Sequence, residues 1–231
     1  MIMIICAIRQ EAKPFLKNLE NRRFENHSNK KVYHGTIDGI SVMLCICGVG
    51  MKKAAITAQK LIKDFNLSHI IMSGTAGGIN SKLKIGDTVV SEELVYHEGV
   101  SGIPILETSY RESERFKPGA ELYEHVQRII ATDPPDHKVC FGRISTGKKF
   151  VQKRNFKAVA REFDPLCADM ESTAVAQICK MHSVPFIAVR SISDTKEKSG
   201  VINFFRNVKL ASNNSFVVVR KLLSSYISVL Y

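Results

Sequence analysis

The stretch His69-Ile-Ile-Met-Ser-Gly-Thr-Ala-Gly-Gly78 decides the fold class of this chain. Its apolar start indicates a buried strand, which we expect to break where the glycines begin, at Gly74. Short runs that are apolar on both faces recur at 2–8 and 184–190, and amphipathic stretches lie between them. Helices cover both faces of such sheets in α/β proteins. The sequence therefore predicts a three-layer αβα fold around a mixed central sheet.

Helical and extended patterns fill most of the remaining chain. Helical spacing predicts helices over residues 11–19, 51–65, 120–131, 152–163, 172–182 and 211–230. Extended segments are expected over 31–37, 40–47, 88–91, 93–97 and 138–145, with Asp38-Gly39 as a hairpin turn between the first two. The polar segment 100–117 has no clear period, so we expect a long loop there, and such loops are often functional.

Length and composition indicate a single domain over residues 1–231. Of the 231 residues, 45% are apolar and 24% are charged, as in globular proteins. A chain of this length buries about 70% of the surface that it exposes when unfolded, so its core needs neither disulfides nor metals. The six cysteines lack the pairing of a zinc or redox motif, which indicates reduced thiols in a cytoplasmic protein. No apolar run is long enough to span a membrane, and we expect no membrane partner, metal or cofactor.

The formal charge of +11 raises nucleic acid or an anionic substrate as a partner. A nucleic-acid-binding surface combines a basic stripe with interleaved aromatic side chains. Here the basic residues occur in scattered pairs, and the chain contains no Trp. We therefore do not expect a nucleic-acid partner, and a basic nucleic-acid-binding protein remains the alternative from a different functional class.

Two glycine motifs each lack a residue that their usual chemistry requires. Gly48-Val-Gly50 follows a strand and precedes a helix, but Lys53 stands where a dinucleotide fingerprint has its third glycine. The segment from Gly142 to Lys149 has the frame of a phosphate loop, but Lys149 replaces the hydroxyl residue that holds Mg²⁺. Neither a dinucleotide site nor ATP hydrolysis is predicted.

Acidic residues follow several of the predicted strands. Asp194 comes after the strand at 184–190, and Glu11 begins the helix after the first strand. Ligands in open α/β sheets bind at the carboxyl ends of strands, so these two carboxylates are candidate site residues. Each is equally well placed to cap a helix or a turn, and for Asp169, just before the helix at 172–182, we favour the capping role.

Five motifs together carry a resemblance to a known family. They are Ala7-Ile8-Arg9-Gln10-Glu11, Gly48-Val49-Gly50, Ser73-Gly74-Thr75-Ala76-Gly77-Gly78, Ala168-Asp169-Met170-Glu171-Ser172 and Val189-Arg190-Ser191-Ile192-Ser193-Asp194. In this order and spacing they resemble the 5′-methylthioadenosine/S-adenosylhomocysteine nucleosidases of the purine nucleoside phosphorylase/uridine phosphorylase superfamily. The resemblance spans nearly the whole chain and implies one domain with a twisted, partly closed sheet, assembled as a homodimer.

The resemblance implies hydrolysis of the N-glycosidic bond of a 5′-thio-substituted adenine nucleoside. Such a reaction needs an acid beside the leaving base and a base beside the attacking water. By the family pattern Asp194, held by Ser193, protonates adenine N7, and Glu11 activates the water. Glu171 accepts hydrogen bonds from the ribose hydroxyls, and Met170 packs against the sugar.

Further positions carry over from the family pattern. The resemblance assigns Phe150 to base stacking, Val151 to the purine edge, Thr75, Ala76 and Gly77 to the sugar and water side, Ile8, Val49 and Phe204 to the 5′-alkylthio pocket, and Arg190 to support of the acidic residues.

Two departures from the family concern the base and the 5′ end. Thr146-Gly147-Lys148 stands where relatives usually have Ser-Gly-Asp, so that Lys148 and Lys149 flank the expected base site. The loop that closes over the 5′ group in relatives contains an aromatic residue, whereas residues 98–106 contain none and the next aromatic residue is Tyr110. A different 5′ substituent is therefore a hypothesis for this chain.

Other reactions of the same superfamily stay open. Phosphorolysis would need several arginines around the glycine segment, but Ile71-Met72-Ser73 precedes it without one. The position of Glu11 also favours hydrolysis over phosphorolysis. Hydrolases of adenine nucleotides or of futalosine are not distinguished by the sequence.

Overall fold

A computed structural model describes residues 1–107, 114–151, 153–197 and 201–225. Its strands are β1 (Ile2–Cys6), β2 (Glu20–His27), β3 (Lys30–Ile37), β4 (Ile40–Ile46), β5 (His69–Gly78), β6 (Thr88–Tyr96), β7 (Val139–Thr146), β8 (Cys167–Asp169) and β9 (Phe186–Thr195). Its helices are α1 (Arg9–Asn18), α2 (Met51–Asp64), α3 (Pro104–Glu107), α4 (Ala120–Thr132), α5 (Lys153–Phe163), α6 (Ser172–Met181) and α7 (Val201–Ser224). Three predicted features, namely Gln152 in α5, Tyr110 and the last turn of the helix expected to reach residue 230, lie outside the described residues.

The strands form one mixed sheet that closes on itself at one end. Their order is β2-β3-β4-β1-β5-β8-β7-β6-β9, and β9 also pairs with β5. Strands β5, β8, β7, β6 and β9 therefore form a ring, while β1, β4, β3 and β2 extend from it as an open sheet. The pairs β1–β4, β1–β5 and β5–β9 are parallel, whereas β5–β8 and β6–β9 are antiparallel. The predicted twisted, partly closed mixed sheet is confirmed.

Two hydrophobic cores lie on opposite faces of this sheet. Met3 and Ile5 of β1 pack in one core with the apolar residues of α2 and α6. Ile2 and Ile4 pack in the other with residues of α1, α4 and α7. Successive strand residues point to opposite faces, so the alternation along β1 separates the two layers of helices. The observed architecture is the predicted three-layer α/β fold.

Strand β5 continues four residues beyond the predicted break at Gly74. It runs to Gly78 because β9 pairs with it in parallel over this whole length, from Ile70 opposite Phe186 to Gly78 opposite Thr195. The prediction that the strand breaks at Gly74 is therefore wrong. The glycines leave room for neighbouring side chains at the carboxyl end of the strand instead of reversing the chain.

Two strands have no counterpart among the predictions. Strand β2 is charged and exposed along most of its length, so it has no apolar alternation, and it is held by its antiparallel pairing with β3. Strand β8 contains only three residues and links β5 to β7 in the ring. The expected loop at 100–117 contains the short helix α3, and its apolar residues Val100, Ile103 and Leu106 are buried.

None of the helices that the structure describes is long and apolar enough to cross a membrane. Within the same residues, no group of three or more His, Cys, Asp or Glu side chains is arranged to hold a metal ion.

Candidate active site

A cavity of about 260 Å³ lies where the carboxyl ends of several strands meet. Residues after β1, β4 and β7 and the ends of β5, β8 and β9 form most of its wall. Thirteen of the fourteen predicted site residues line it, namely Ile8, Glu11, Val49, Thr75, Ala76, Gly77, Phe150, Val151, Met170, Glu171, Ser193, Asp194 and Phe204. The fourteenth, Arg190, is fully buried behind the wall. Residues that are far apart in sequence thus meet around one cavity, as expected for a ligand site of an α/β fold.

The carboxylate of Glu11 is held by four hydrogen bonds. Its Oε2 accepts from the backbone N–H groups of Ala7 at 2.9 Å and Ile8 at 3.2 Å, a helix-capping arrangement at the start of α1. Its Oε1 accepts from both the backbone N–H and the hydroxyl of Thr75, each at 2.8 Å. The side chain is 4% exposed. These contacts give the carboxylate one orientation between β1 and β5.

Gly74 makes this position of Glu11 possible. A Cβ atom at residue 74 would lie 2.6 Å from Oε1 of Glu11 and 2.5 Å from Nη1 of Arg190. Both distances are far below van der Waals contact, so any side chain at this position would displace one of the two charged groups. The glycine is needed for the close approach of these groups to the strand.

Arg190 links two acidic residues of the cavity wall, Asp169 and Glu171. Its Nε donates to Oδ2 of Asp169 at 2.8 Å, and its Nη2 donates to Oε2 of Glu171 at 3.3 Å. Burial lowers the pKa of the guanidinium. The carboxylates of Asp169 and Glu171 raise this pKa by more than burial lowers it, so the pKa lies above the ordinary value. A buried guanidinium needs such partners because leaving water costs several kcal/mol per ion. Arg190 thus supports the acidic residues of the site, in the position that the resemblance implies.

Asp169 has the structural contacts of a helix cap. Its Oδ1 accepts from the hydroxyl of Thr146 at 2.6 Å and from the backbone N–H of Glu171 at 3.3 Å. Both of its carboxylate oxygens lie 3.2 Å from the backbone nitrogen of Ser172, the first residue of α6. The expected capping role is confirmed by these contacts with the start of α6, and the ion pair with Arg190 agrees with the support of the acidic residues that the resemblance implies.

Glu171 combines burial with a fixed position in the wall. Its Oε1 accepts from the backbone N–H of Gly50 at 2.8 Å, which joins α6 to the turn before α2. Burial raises the pKa of Glu171, and the Arg190 guanidinium opposes this effect. The nearby carboxylates of Asp169 and Glu11 raise the pKa further. A carboxyl group in this environment can exchange hydrogen bonds with hydroxyl groups of a ligand.

Asp194 lies on β9, directly opposite Gly77 of β5. Its Oδ1 accepts a hydrogen bond from the hydroxyl of Ser193 at 2.9 Å, and the residue is 5% exposed. Burial raises the pKa of Asp194, and the hydrogen bond from Ser193 partly opposes this shift. A carboxyl group with a raised pKa keeps its proton at higher pH and can serve as a general acid.

Aromatic side chains surround the mouth of the cavity. The rings of Phe150 and Phe204 meet edge to face, with centroids 5.9 Å apart, and Phe205 packs against Phe204 at 5.3 Å. Phe150 is 42% exposed. Phe156 of α5 also lines the cavity, with the ammonium of Lys196 located 5.5 Å from its ring centre. A flat apolar ligand would find stacking partners here.

The two lysines after Gly147 have different positions. Lys149 lines the cavity, whereas the Lys148 ammonium donates to the backbone O of Ser101 at 3.0 Å and to its Oγ at 3.1 Å. The backbone N–H of Lys148 also donates to Oε2 of Glu98 at 2.6 Å. Of the two lysines that we expected to flank the base site, Lys149 therefore lies in the cavity wall, whereas Lys148 is bound to the loop at 98–101.

Several residues of the wall were not among the predictions. Gln10, Phe156, Lys196 and Phe205 all line the cavity. A single aromatic residue in an amphipathic segment usually indicates a core position, so Phe156 had no distinguishing signal. Gln10 could have been found, because it is adjacent to Glu11, a predicted site residue.

Comparisons with known proteins agree with this geometry. Residues 1–224 match the model of the Phosphorylase superfamily. The chain is 31% identical to the 5′-methylthioadenosine/S-adenosylhomocysteine nucleosidase of Buchnera aphidicola subsp. Schizaphis graminum over 230 residues, which cover 96% of this chain and 95% of that protein.

Solved structures of the same family share the fold over nearly their whole length. The nucleosidase of Neisseria meningitidis, in complex with methylthio-immucillin-A, superimposes with a TM-score of 0.86 at 26% identity and covers 97% of this chain and 98% of its own. The nucleosidase of Colwellia psychrerythraea, in complex with adenine, has a TM-score of 0.85 at 28% identity and covers 96% and 93%. This chain therefore belongs to the phosphorylase superfamily and, within it, to the family of 5′-methylthioadenosine/S-adenosylhomocysteine nucleosidases.

Proposed function

We propose that this protein hydrolyses the N-glycosidic bond of 5′-thio-substituted adenine nucleosides, releasing adenine and the thio-substituted ribose. Methylthioadenosine and S-adenosylhomocysteine are the proposed substrates. The observation that carries the proposal is that one cavity contains both a carboxylate held by four hydrogen bonds, Glu11, and a carboxyl group whose pKa burial raises, Asp194. The names and ligands of the related structures support the same reaction.

Asp194 is the proposed general acid. As the C1′–N9 bond breaks, its electron pair moves onto the purine, and a proton delivered to N7 lets the base leave as neutral adenine. Because burial raises the pKa of Asp194, the group keeps its proton to a higher pH than an ordinary carboxyl group does, and the hydrogen bond from Ser193 stabilises the carboxylate that forms when the proton leaves. The matching acceptor on the substrate is a purine nitrogen, which a pyrimidine lacks at this position.

Glu11 is the proposed general base. The ribose develops oxocarbenium character at C1′ as the base leaves, and a water molecule then adds to C1′. In this proposal Glu11 gains one proton from that water and Asp194 gives one proton to the leaving base, so the two proton transfers balance over the reaction. Because Thr75, Ala7 and Ile8 hold the carboxylate, its orientation is set before substrate binds, which reduces the entropic cost of catalysis.

Binding of the ribose and the base is assigned to the remaining wall. Glu171 is proposed to accept hydrogen bonds from the 2′- and 3′-hydroxyls, contacts that can strengthen as the ring flattens, with Met170 against the sugar. Phe150 is proposed to stack on adenine, since its ring stands exposed at the mouth, and the backbone of Val151 to read the purine edge. Thr75, Ala76 and Gly77 are proposed to line the side on which water approaches.

The apolar end of the cavity is assigned to the 5′ substituent. Ile8, Val49 and Phe204 supply apolar surface there, which suits an alkylthio group better than a free hydroxyl or a phosphate. Phosphorolysis is not favoured, since the residues that the structure describes in the cavity wall include no arginine for binding phosphate.

We further propose that residues 1–231 act as one domain, and that the protein forms a homodimer in the cytoplasm. The two cores on either face of a single sheet support the first point, and the family membership supports the second. The six free cysteine thiols are in keeping with a reducing compartment. Sedimentation equilibrium of the full chain tests the oligomeric state.

Release of free base tests the reaction. Methylthioadenosine, S-adenosylhomocysteine, adenosine and inosine are each incubated with the protein, with and without phosphate, beside Asp194→Asn and the control Asp136→Asn, which makes the same change at an exposed residue outside the cavity wall. We expect adenine from the two thio-substituted nucleosides without phosphate, an inactive Asp194→Asn and an active Asp136→Asn. Base release that requires phosphate, or a fully active Asp194→Asn, would overturn the proposal.

A further inference from the structure

A serine of helix α7 contacts the two strands that carry the site without lining the cavity. Ser215 is fully buried, and it follows Ser73 by 142 residues in the sequence. Strands β5 and β9 pair here with Ser73 opposite Val189 and Gly74 opposite Arg190. The hydroxyl of Ser215 thus lies against the paired strands next to residues Gly74 and Arg190, at the level of the candidate active site.

Three hydrogen bonds connect this hydroxyl to both strands. Ser215 Oγ lies 2.5 Å from Oγ of Ser73, accepts from the backbone N–H of Gly74 at 3.1 Å, and donates to the backbone O of Val189 at 3.2 Å. Either hydroxyl can be the donor in the pair of serines, and all three contacts form together when Ser73 donates and the single hydrogen of Ser215 is directed to Val189. One side chain of α7 therefore holds backbone groups of β5 and of β9 together.

Each backbone contact is one residue away from a side chain that binds a carboxylate of the site. Gly74 precedes Thr75, whose N–H and hydroxyl both donate to Glu11. Val189 precedes Arg190, whose guanidinium binds Asp169 and Glu171. The backbone at Gly74 also leaves the space that Glu11 and Arg190 occupy. A shift of the Gly74 peptide is therefore transmitted directly to the carboxylate of Glu11.

We propose that Ser215 is a positioning residue for hydrolysis, which acts through Gly74 and Thr75 on the orientation of Glu11. The inference rests on the proposed function, because it concerns the same general base. It assigns a catalytic consequence to a hydroxyl that touches neither the cavity nor the substrate. A merely structural role would change stability and leave the turnover of the folded enzyme intact.

The chain offers a matched control one turn earlier on the same helix. Ser212 is 2% exposed, and its Oγ has no hydrogen-bond partner among the residues that the structure describes. Ser215→Ala and Ser212→Ala remove the same atom from neighbouring buried positions. We expect Ser215→Ala to lower kcat for methylthioadenosine by roughly ten- to hundredfold and to change KM less than about threefold. The reason is that a misplaced catalytic group lowers the rate of the chemical step more than it weakens substrate binding. Ser212→Ala should keep the kcat and KM of the wild type.

A double-mutant cycle with Thr75→Val separates positioning from stability. If Ser215 acts through the Thr75–Glu11 contact, Ser215→Ala in the Thr75→Val background lowers kcat much less than it does in the wild type. Multiplicative effects on kcat, or an unchanged kcat in Ser215→Ala, would overturn the inference. Should Ser215→Ala fail to fold, Ser215→Cys keeps the shape with a weaker donor, and the same reduction in kcat with unchanged KM is expected.

The same assay separates this inference from the proposed function. Wild-type protein that releases no adenine from any nucleoside would overturn the proposed function, and the inference with it. An active wild type with equal kcat in Ser215→Ala and Ser212→Ala would overturn only the role of Ser215.

Discussion

Replacing Gly74 by Ala tests whether the close packing of Glu11 and Arg190 sets the catalytic geometry. The φ angle of Gly74 lies outside the left-handed region, so alanine can adopt the backbone conformation and the effect of the added methyl group is steric. That Cβ would lie 2.5 Å from Nη1 of Arg190 and 2.6 Å from Oε1 of Glu11, whereas ordinary contacts begin at 3.4 Å. One or both charged groups must therefore move by close to one ångström.

The expected loss follows from the size of this movement. A displacement of about 1 Å in a catalytic group can cost roughly a hundredfold in rate, so we expect kcat/KM of Gly74→Ala for methylthioadenosine to fall by about that factor. Overpacking a buried site costs about 1–3 kcal/mol in the free energy of unfolding. For a domain of this size such a cost lowers Tm by a few degrees, so the variant should remain folded at room temperature.

Adenine release and thermal unfolding measure the two effects side by side. Gly99→Ala is the control, because a Cβ at Gly99 would meet no atom within 4 Å and its φ is also outside the left-handed region. This control should keep both the activity and the Tm of the wild type. The reasoning is refuted if folded Gly74→Ala retains more than about half of the wild-type kcat/KM.

Three further predictions concern pH, stacking and the buried charges. Burial raises the pKa of Asp194, so kcat/KM should fall as pH rises through that pKa. The unfolded chain ionises this group at lower pH than the folded chain does, so ionisation destabilises the fold. Asp194→Asn should therefore raise Tm at pH 8 but not at pH 3. In steady-state assays, Phe150→Ala should raise KM by about tenfold through lost stacking. The side chain of Lys148 is bound to the loop at 98–101, so Lys148→Ala should change KM less than about threefold. Equal effects of the two substitutions on KM would contradict the assigned positions. In urea unfolding, Arg190→Met should lower the free energy of unfolding by about 3–5 kcal/mol, because Asp169 and Glu171 stay buried without their cation. Arg220 forms an exposed ion pair, so Arg220→Met should lower the free energy of unfolding by less than about 1 kcal/mol.

Local patterns were sufficient for the elements that have a buried, apolar signature. Strands β1, β5 and β9 begin in runs of apolar residues, and the helices between them show helical spacing, so both their type and their order could be predicted. Glu11 and Asp194 could be proposed as site residues because strand ends are where α/β folds bind ligands. Their chemical roles came from the combination of five motifs, since each acidic residue alone is equally consistent with a cap.

Other features had no local signal. The pairing of β5 with β9 continues through Gly74 and Gly77, and a glycine-rich segment read by itself predicts a turn. Strand β2 is exposed and charged, so only its pairing with β3 makes it a strand. Ser215 lies in a helix three residues after Ser212, and nothing in the sequence distinguishes the two serines.

The sequence by itself determined the fold class, the order of the elements that have an apolar signature and the acidic residues of the site, because burial and helical or extended spacing are properties of neighbouring residues. Only the tertiary structure decided that Gly74 leaves space for Glu11 and Arg190, that Lys148 is directed to Ser101, and that a hydroxyl of α7 holds β5 and β9 together. These contacts join residues that are distant in sequence, and their geometry depends on how the closed sheet packs against its helices.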